Sequence, residues 1–137
     1  LLAGRYTLLD HSGLDELLPL CARSDVSVIA AGVVNSGILA DPRDGAPFFY
    51  RPAPPDLLAR ARAMQDVCGR HGVALVDAAL QFPFGHPSVT TVLIGSRSPD
   101  EMRRNFESMR TPIPDDLWAE LRAEGLLGGD VPAPGDA

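Results

Sequence analysis

Apolar and polar residues are arranged along the chain in blocks that predict alternating strands and helices. Short apolar runs at residues 1–9, 26–34 and 88–95 predict three strands. Apolar residues at helical spacing predict helices over 14–24, 55–72, 73–84, 98–109 and 114–125. The run VSVIAAGVV, which forms residues 26–34, is apolar at nearly every position and is typical of a strand buried on both faces.

The order of these elements predicts an α/β fold, because strands separated by helices pair in parallel through helical crossovers. Residues 35–55 are rich in Gly, Pro and aromatics and are predicted to form a loop. Residues 128–137 are predicted to be a flexible Gly/Pro-rich tail. Three strands hide neither both faces nor both edges of a sheet. Since the chain also starts at Leu1 within an apolar run, we expect residues 1–127 to be part of a larger unit.

Composition narrows the possible functions. Hydrophobic residues make up 45% and charged residues 22% of the 137 residues, as in ordinary globular proteins. The net charge of −6 opposes binding to nucleic acid or to an anionic membrane surface. No apolar run approaches membrane-spanning length. The two cysteines lie far apart without metal-type spacing, which predicts buried thiols in a reducing, cytoplasmic compartment.

Several catalytic chemistries have no supporting pattern. The three histidines are isolated, each beside a turn or a helix end, so we predict no metal site. Ser36 and Ser96 lie near glycines but not in the GxSxG pattern of a hydrolase nucleophile. The chain has no GxGxxG after a strand. All 12 basic residues are Arg, so the chain contains no Lys.

The segment VLIGSRSPDEMRRN, residues 92–105, combines a strand, the turn Gly95–Ser96 and a helix start. A turn that leads into a helix N-terminus presents backbone N–H groups and a positive dipole end, so it predicts an anion site. Ser98 and Glu101 are spaced as a capping box, in which the Glu101 carboxylate would accept from the Ser98 N–H. The cap is compatible with a role for Glu101 in ligand binding.

Three segments together resemble the last three barrel strands of the aldo-keto reductase family: RYTLLD (5–10), AAGVVNSGIL (30–39) and VLIGSRSPDEMRRNFE (92–107). The likeness covers residues 1–127 and is strongest to the bacterial branch of sugar and pyridoxal dehydrogenases. It implies the C-terminal three strands and helices of a (β/α)8 TIM barrel, with a nicotinamide cofactor held at the carboxyl ends of the strands. The implied reaction oxidises or reduces a sugar-like or other small hydroxyl or carbonyl substrate. The implied partner is the N-terminal half of the same barrel.

The resemblance also assigns roles to residues. It implies that the pyrophosphate lies along Val34, Asn35, Ser36 and Gly37, and that the adenosine end lies at Gly95, Ser96, Arg97, Glu101, Arg104 and Asn105. Glu101 stands where many NADP-preferring members carry a basic residue, which favours NAD over NADP. The loop aromatics Phe48, Phe49 and Tyr50 would form a substrate lid. The family's Asp–Tyr–Lys–His tetrad belongs to the N-terminal half, so no catalytic residue is expected here.

Each assignment has a structural alternative. The loop aromatics are equally expected to anchor the loop on its own domain, and residues 34–37 alone fit an ordinary exit from a strand. Arg97, Arg103 and Arg104 also fit a solvated helix face. Two alternatives concern the whole protein: a non-catalytic barrel that binds a nucleotide or a partner protein, and a flavodoxin-like sheet of unrelated function.

Overall fold

The computed structural model describes residues 1–136 and contains a three-stranded parallel sheet. Strands β1 (Leu2–Ala3), β2 (Val28–Ala31) and β5 (Val89–Leu93) lie side by side in the order β1-β2-β5. Five helices accompany them: α1 (Leu17–Arg23), α2 (Pro55–Arg70), α3 (Leu75–Gln81), α4 (Pro99–Ser108) and α5 (Asp115–Ala123). Short strands β3 (Pro47–Phe48) and β4 (Arg51–Pro52) form an antiparallel hairpin. The predicted parallel α/β arrangement is confirmed.

The first strand is shorter than the nine residues predicted. Gly4 follows β1 with φ of 67°, a left-handed conformation that ends the extended segment. The Thr7 hydroxyl then accepts hydrogen bonds from the N–H groups of Leu9 and Asp10, which folds residues 5–10 into a turn. The apolar pattern of this run therefore reflects burial in a turn instead of a strand.

The predicted loop over residues 35–55 contains regular structure. A 3-10 turn spans Asn35–Gly37, and the hairpin of β3 and β4 follows it. The hairpin turn is Phe49 and Tyr50, whose φ angles are 47° and 63°. Positive φ at both central residues suits the twist of a two-residue hairpin, although Asn and Gly are the residues that usually adopt it. Because Phe49 and Tyr50 stand where Asn and Gly are usual, the sequence did not predict the hairpin.

The hydrophobic core lies between the sheet and the helices, with Trp118 of α5 near its centre. Trp118 is 2% exposed, and its ring centroid lies 6.2 Å from that of Phe82. The ring centroid of Tyr6 lies 5.0 Å from that of Phe82. At the surface, Arg70 at the end of α2 donates to the Glu120 carboxylate at 2.7 Å, which joins α2 to α5.

Part of the predicted flexible tail, residues 128–137, packs against the core through Val131 and Ala133. Ala133 is 1% exposed, and a side-chain carbon at Gly85 would come within 2.5 Å of its backbone. The Tyr6 hydroxyl donates to the Pro132 carbonyl at 2.9 Å. These contacts hold residues 131–133 on the core, whereas residues 128–130, 135 and 136 are exposed, and the flexibility of the tail stays a prediction. Ala137 lies outside the described residues.

One face of the sheet is buried and the other is open. Val28 and Ala30 of β2 point into the core, whereas Ile29 is 41% exposed. Leu93 of β5, on the same side, is 53% exposed. Burial of β2 on both faces was predicted, but none of residues 1–136 covers this side. The apolar side chains there form a surface that a further layer of structure would bury.

Both cysteines, Cys21 and Cys68, are buried and free, as predicted. Burial in the core raises the pKa of the Cys68 thiol to about 11. Within residues 1–136, no group of His, Cys, Asp or Glu side chains is arranged to hold a metal ion. None of the helices in this part of the chain is long and apolar enough to cross a membrane.

The side chain of His11 makes the stability of the fold depend on pH. Its Nε2 is buried and has no hydrogen-bond partner among residues 1–136, and the centroid of its ring lies 5.8 Å from that of Phe82. Burial, followed by the charge of Arg60, lowers the pKa of His11, although Asp10, Asp130 and the Leu8 carbonyl oppose the shift. The folded state therefore takes up a proton at lower pH than the unfolded state does. Stability is fully present above the unfolded pKa near 6.5 and decreases as the pH falls below it.

We therefore expect the free energy of unfolding to decrease between pH 7 and pH 5 by more in the wild type than in His11→Gln. Gln keeps polar atoms near the ring position but does not titrate in this range. Urea unfolding of both proteins at the two pH values measures the difference. The pKa of His86 is lowered by burial in the same direction, so its contribution is common to both proteins and cancels. Equal decreases would show that His11 does not couple folding to pH.

Candidate functional site

A cavity of about 400 Å³ opens at the carboxyl ends of the three parallel strands. It is lined by residues at or just after each strand end: Ala3 and Gly4 after β1, residues 32–36 after β2, and residues 93–95 after β5. Phe49 and Tyr50 of the hairpin complete its wall. The carboxyl edge of a parallel sheet is the usual place for a ligand, because loops from separate strands converge there.

A second cavity of about 770 Å³ continues from the first toward the start of α4. The two share Val34, Ser36, Tyr50, Ile94 and Gly95, and we call them together the strand-end groove. The second cavity is more polar than the first. Its additional lining includes Asp41, Arg43, Ser96, Arg97, Glu101 and Asn105. The groove thus has an apolar end above the sheet and a charged end at α4.

The structure brings most of the predicted site residues to this groove. Its lining includes Val34, Asn35, Ser36, Gly37, Gly95, Ser96, Arg97, Glu101, Asn105, Phe49 and Tyr50. Two predicted residues do not line it. Arg104 lines a neighbouring cavity that it shares with Glu101 and Asn105, and Phe48 packs against the core with its ring 4.7 Å from that of Phe49.

The start of α4 is capped, but not entirely as predicted. The Ser98 hydroxyl accepts from the Glu101 N–H at 3.1 Å, so Ser98 is the N-cap. The Glu101 carboxylate was expected to accept from the Ser98 N–H. It accepts instead from the N–H of Arg97, one residue earlier, at 2.8 Å. The preceding turn brings the Arg97 amide within reach of the carboxylate, which then caps the turn as well as the helix.

This contact occupies the predicted anion site with a carboxylate from the protein itself. The Arg97 N–H, and to a smaller extent the guanidinium 3.6 Å away, lower the pKa of Glu101. The Arg97 side chain is 95% exposed and is therefore free to turn toward a ligand. An incoming phosphate would meet a negative charge at the amide that was expected to bind it.

Asn105, on the next turn of α4, is held by the same turn. Its Nδ2 donates to the Ser96 hydroxyl at 3.0 Å. The Ser96 hydroxyl also lies 4.0 Å from the Met102 sulfur. These contacts fix the orientation of the Asn105 amide and leave its Oδ1 available at the groove. The amide is therefore positioned to read a donor group on a planar ligand.

Residues 34–37 leave β2 through a strained turn. Asn35 and Ser36 have φ of 47° and 61°, which non-glycine residues seldom adopt, and Gly37 has φ of 109°. Glycine is required at position 37 for that angle, and the space beside it is open. The Asn35 side chain is 3% exposed, and neither of its amide atoms has a hydrogen-bond partner among the described residues. Strain and an unpaired buried amide together are typical of a binding site.

The hairpin turn stands at the mouth of the groove. The Tyr50 N–H donates to the Ser36 hydroxyl at 3.3 Å, and the Tyr50 side chain is 93% exposed. The Phe49 ring lies beside Gly4, under the Arg5 guanidinium at 4.9 Å. Phe48 packs against the core, while Phe49 and Tyr50 border the groove, and the substrate lid stays a prediction.

Some lining residues were not found from the sequence. Gly4 and Gly32 form the floor, and a side-chain carbon on Gly32 would lie 3.2 Å from the Gly4 amide nitrogen. Asp41 and Arg43, from the segment after residue 37, also line the groove. Gly4 and Gly32 both have positive φ, which glycine adopts most readily. Each follows the end of a strand, and a glycine at that position in two strands is the sequence signal that could have identified them.

Chemically, the groove is suited to binding. It offers amide, hydroxyl and charged groups around an apolar floor, but no histidine or cysteine is among its lining residues. Its only phenol is Tyr50, on the exposed hairpin. The residues that line the groove thus provide contacts for a ligand, and no histidine or cysteine among them is paired with a carboxylate.

Comparison with known proteins identifies relatives of this chain. The sequence model of the aldo/keto reductase family matches residues 1–124. Pyridoxal 4-dehydrogenase from Microbacterium luteolum is 46% identical over 128 residues, which are 93% of this chain and 37% of that protein. D-threo-aldose 1-dehydrogenase from Pseudomonas sp is 38% identical over 129 residues, 93% of this chain and 39% of that protein. An NADH-specific methylglyoxal reductase from Escherichia coli (strain K12) is 22% identical over 125 residues, 84% of this chain and 38% of that protein.

Proposed function

The chain belongs to the aldo/keto reductase family, and on that premise we propose that it is the cofactor-binding part of an NAD(P)-dependent oxidoreductase. The observation that carries the proposal is the strand-end groove. It joins the carboxyl ends of three parallel strands to a capped helix N-terminus, and it contains an unpaired buried amide. Bound there, a nicotinamide would supply the hydride chemistry that the groove residues lack.

The residues fit an elongated dinucleotide. The apolar end, floored by Gly4 and Gly32, suits a flat ring that approaches the backbone closely. The strained turn at residues 34–37 would follow the pyrophosphate, and Ser96 and Asn105 would hold the adenosine end. In this assignment the chain binds and orients the cofactor.

The chain spans about two fifths of the length of the curated relatives it matches. We propose that residues 1–124 are the C-terminal part of a (β/α)8 barrel, which acts in the cytoplasm. The N-terminal half of the barrel would cover the open sheet face with Ile29 and Leu93 and pair with the free edges of β1 and β5. That half would also carry the catalytic tetrad.

The substrate proposed is a small sugar-like or other hydroxyl or carbonyl compound. Two relatives that match 93% of the chain are named for pyridoxal and for an aldose, both small polar molecules. The hairpin with Phe49 and Tyr50 borders the apolar end of the groove, where such a molecule would meet the nicotinamide. It would act as a partial wall over the substrate.

The function is tested with the whole protein that carries this chain. NADH and NADPH binding is followed by quenching of protein fluorescence, and turnover is measured with aldoses and with pyridoxal. Binding together with turnover supports the oxidoreductase. Binding without turnover on any small carbonyl or hydroxyl substrate would favour the non-catalytic, nucleotide-binding alternative. Absence of binding would overturn the proposal.

NAD is the proposed cofactor of preference. The amide expected to bind a 2′-phosphate already donates to the Glu101 carboxylate. A 2′-phosphate would therefore approach a like charge, whereas the free 2′-hydroxyl of NAD can donate a hydrogen bond to it. Arg97, and Arg104 on the neighbouring surface, act in the opposite direction, so the net preference is expected to be modest.

We expect Glu101→Gln in the whole protein to shift the ratio of kcat/KM for NAD to that for NADP by roughly tenfold toward NADP. The substitution removes the negative charge and releases Arg97 from its ion pair, and both changes favour a 2′-phosphate. Steady-state kinetics with each cofactor at a fixed substrate concentration give the ratio.

Glu107→Gln is the matched control. It makes the same chemical change on the same helix at an exposed position that does not line the groove, and it should leave the ratio within about twofold. An unchanged ratio in Glu101→Gln would mean that this carboxylate serves only as a cap, and the preference would then arise elsewhere.

A further inference from the structure

The side chain of Asn35 has no partner in the fold that would explain its burial. The residue is 3% exposed, and both Nδ2 and Oδ1 lack a hydrogen bond among residues 1–136. A buried amide left unpaired is costly, and such groups in native structures usually have a function. Its backbone also has φ of 47°, a conformation that Asn tolerates better than most residues.

The amide lies at the apolar end of the groove. Asn35 lines the cavity above the strand ends and not the charged cavity next to α4, whereas Ser36 lines both. Its Nδ2 is 4.0 Å from the position that a side-chain carbon on Gly4 would take. A carbon of the Phe49 ring lies 3.2 Å from that same position. The amide and the Phe49 ring therefore both lie close to the glycine floor.

The chemistry of the missing partner follows from the amide itself. Nδ2 needs an acceptor and Oδ1 needs a donor, side by side. A carboxamide offers both, and it pairs with another amide through two parallel hydrogen bonds. A phosphate offers only acceptors, so it could accept from Nδ2 but would leave Oδ1 without a donor, whereas a carboxamide satisfies both atoms.

We propose that Asn35 recognises the carboxamide of the nicotinamide, with Nδ2 donating to the carboxamide oxygen and Oδ1 accepting from its NH₂. The proposal rests on the nicotinamide cofactor proposed above and assigns a specificity residue within it. The Phe49 ring and the Asn35 amide both approach the same point above Gly4. The strained hairpin turn at Phe49 and Tyr50 is the element that would shift to admit the ring.

The test compares two dinucleotides in equilibrium binding to the whole protein. NAD carries the carboxamide, and its 3-acetylpyridine analogue replaces only the NH₂ by a methyl group. In the wild type the analogue should bind roughly tenfold more weakly, because Oδ1 would be left buried without a donor. In Asn35→Gly, which adopts positive φ freely, this discrimination should fall to about twofold or less.

A second variant gives a different expected pattern. Asn35→Asp keeps the shape and an acceptor but loses the donor, so both dinucleotides should bind more weakly while the preference for NAD remains.

Asp25→Gly is the control for the backbone change that Asn35→Gly introduces. Asp25 also has positive φ, at 54°, but it lies between α1 and β2 and lines neither cavity of the groove. The Asp25→Gly protein should therefore discriminate between NAD and the analogue as strongly as the wild type does.

Three outcomes would overturn the proposal. Equal discrimination in the wild type and Asn35→Gly would mean that the amide has a structural role. Loss of ADP-ribose binding in Asn35→Gly, with discrimination unchanged, would assign the amide to the adenosine end instead. Failure of the wild type to bind either dinucleotide would overturn the proposed function itself, which separates that failure from failure of the Asn35 assignment.

Discussion

Purified alone, the chain of residues 1–137 should show no substrate-dependent oxidation or reduction of NAD(P)H. The family resemblance implies a tetrad that includes Lys, and the chain has none. The two tyrosines do not substitute for a proton donor. The Tyr6 hydroxyl is committed to the Pro132 carbonyl, and burial raises its pKa further above the usual value, while Tyr50 is on an exposed turn. Without a positioned acid, proton transfer to the substrate oxygen has no catalyst.

The absorbance of reduced nicotinamide, followed with aldoses and with pyridoxal, measures this turnover against a blank without protein. The whole protein, assayed at equal molar concentration, is the positive control. Turnover by the isolated chain that rises in proportion to its concentration, and that survives a second purification step, would contradict the expectation. Such turnover would mean that residues 1–137 contain a catalytic acid of their own.

Replacing Trp118 by Ala is expected to lower the free energy of unfolding of the whole protein by about 3–5 kcal/mol. The indole is 2% exposed and packs beside Phe82, whose ring also packs against Tyr6. Truncation removes the largest buried side chain and leaves a cavity that rigid neighbours fill only in part. Urea unfolding followed by circular dichroism gives the difference.

Phe106→Ala is the comparison for Trp118→Ala. Phe106 is also aromatic and helical, but it is 63% exposed, and the Arg110 guanidinium lies over its ring at 5.8 Å. Its truncation should cost less than about 1 kcal/mol. If Trp118→Ala cost no more than Phe106→Ala, the Trp118 indole would not be part of the stabilising core in the assembled protein.

Periodicity identified the elements but not their ends. The helices and the strands β2 and β5 were predicted because their apolar side chains repeat at regular intervals, and the structure has each of them within a few residues. The first strand was overextended because Tyr6, Leu8 and Leu9 are buried in a turn, and burial alone leaves the same apolar signature. The family resemblance drawn from three segments is confirmed.

The candidate site was predictable where it follows local rules. Ser98 as a helix cap could be recognised from four consecutive residues. The redirection of Glu101 to the Arg97 amide could not, because it depends on the path of the preceding turn. The unpaired Asn35 amide and the proximity of Phe49 to Gly4 depend on segments far apart in sequence. Such contacts are fixed by tertiary packing, and no local sequence pattern predicts them.

The enclosed thiol of Cys68 offers an intrinsic reporter of conformational opening. Only the thiolate attacks an alkylating reagent, and a side chain with no exposure and a pKa of about 11 presents almost none. Labelling of Cys68 therefore requires α2 to separate from the core, and its rate measures how often that occurs. A ligand that binds the folded state should slow the labelling in proportion to its occupancy. Affinity can thus be read by mass spectrometry for compounds that are neither coloured nor turned over.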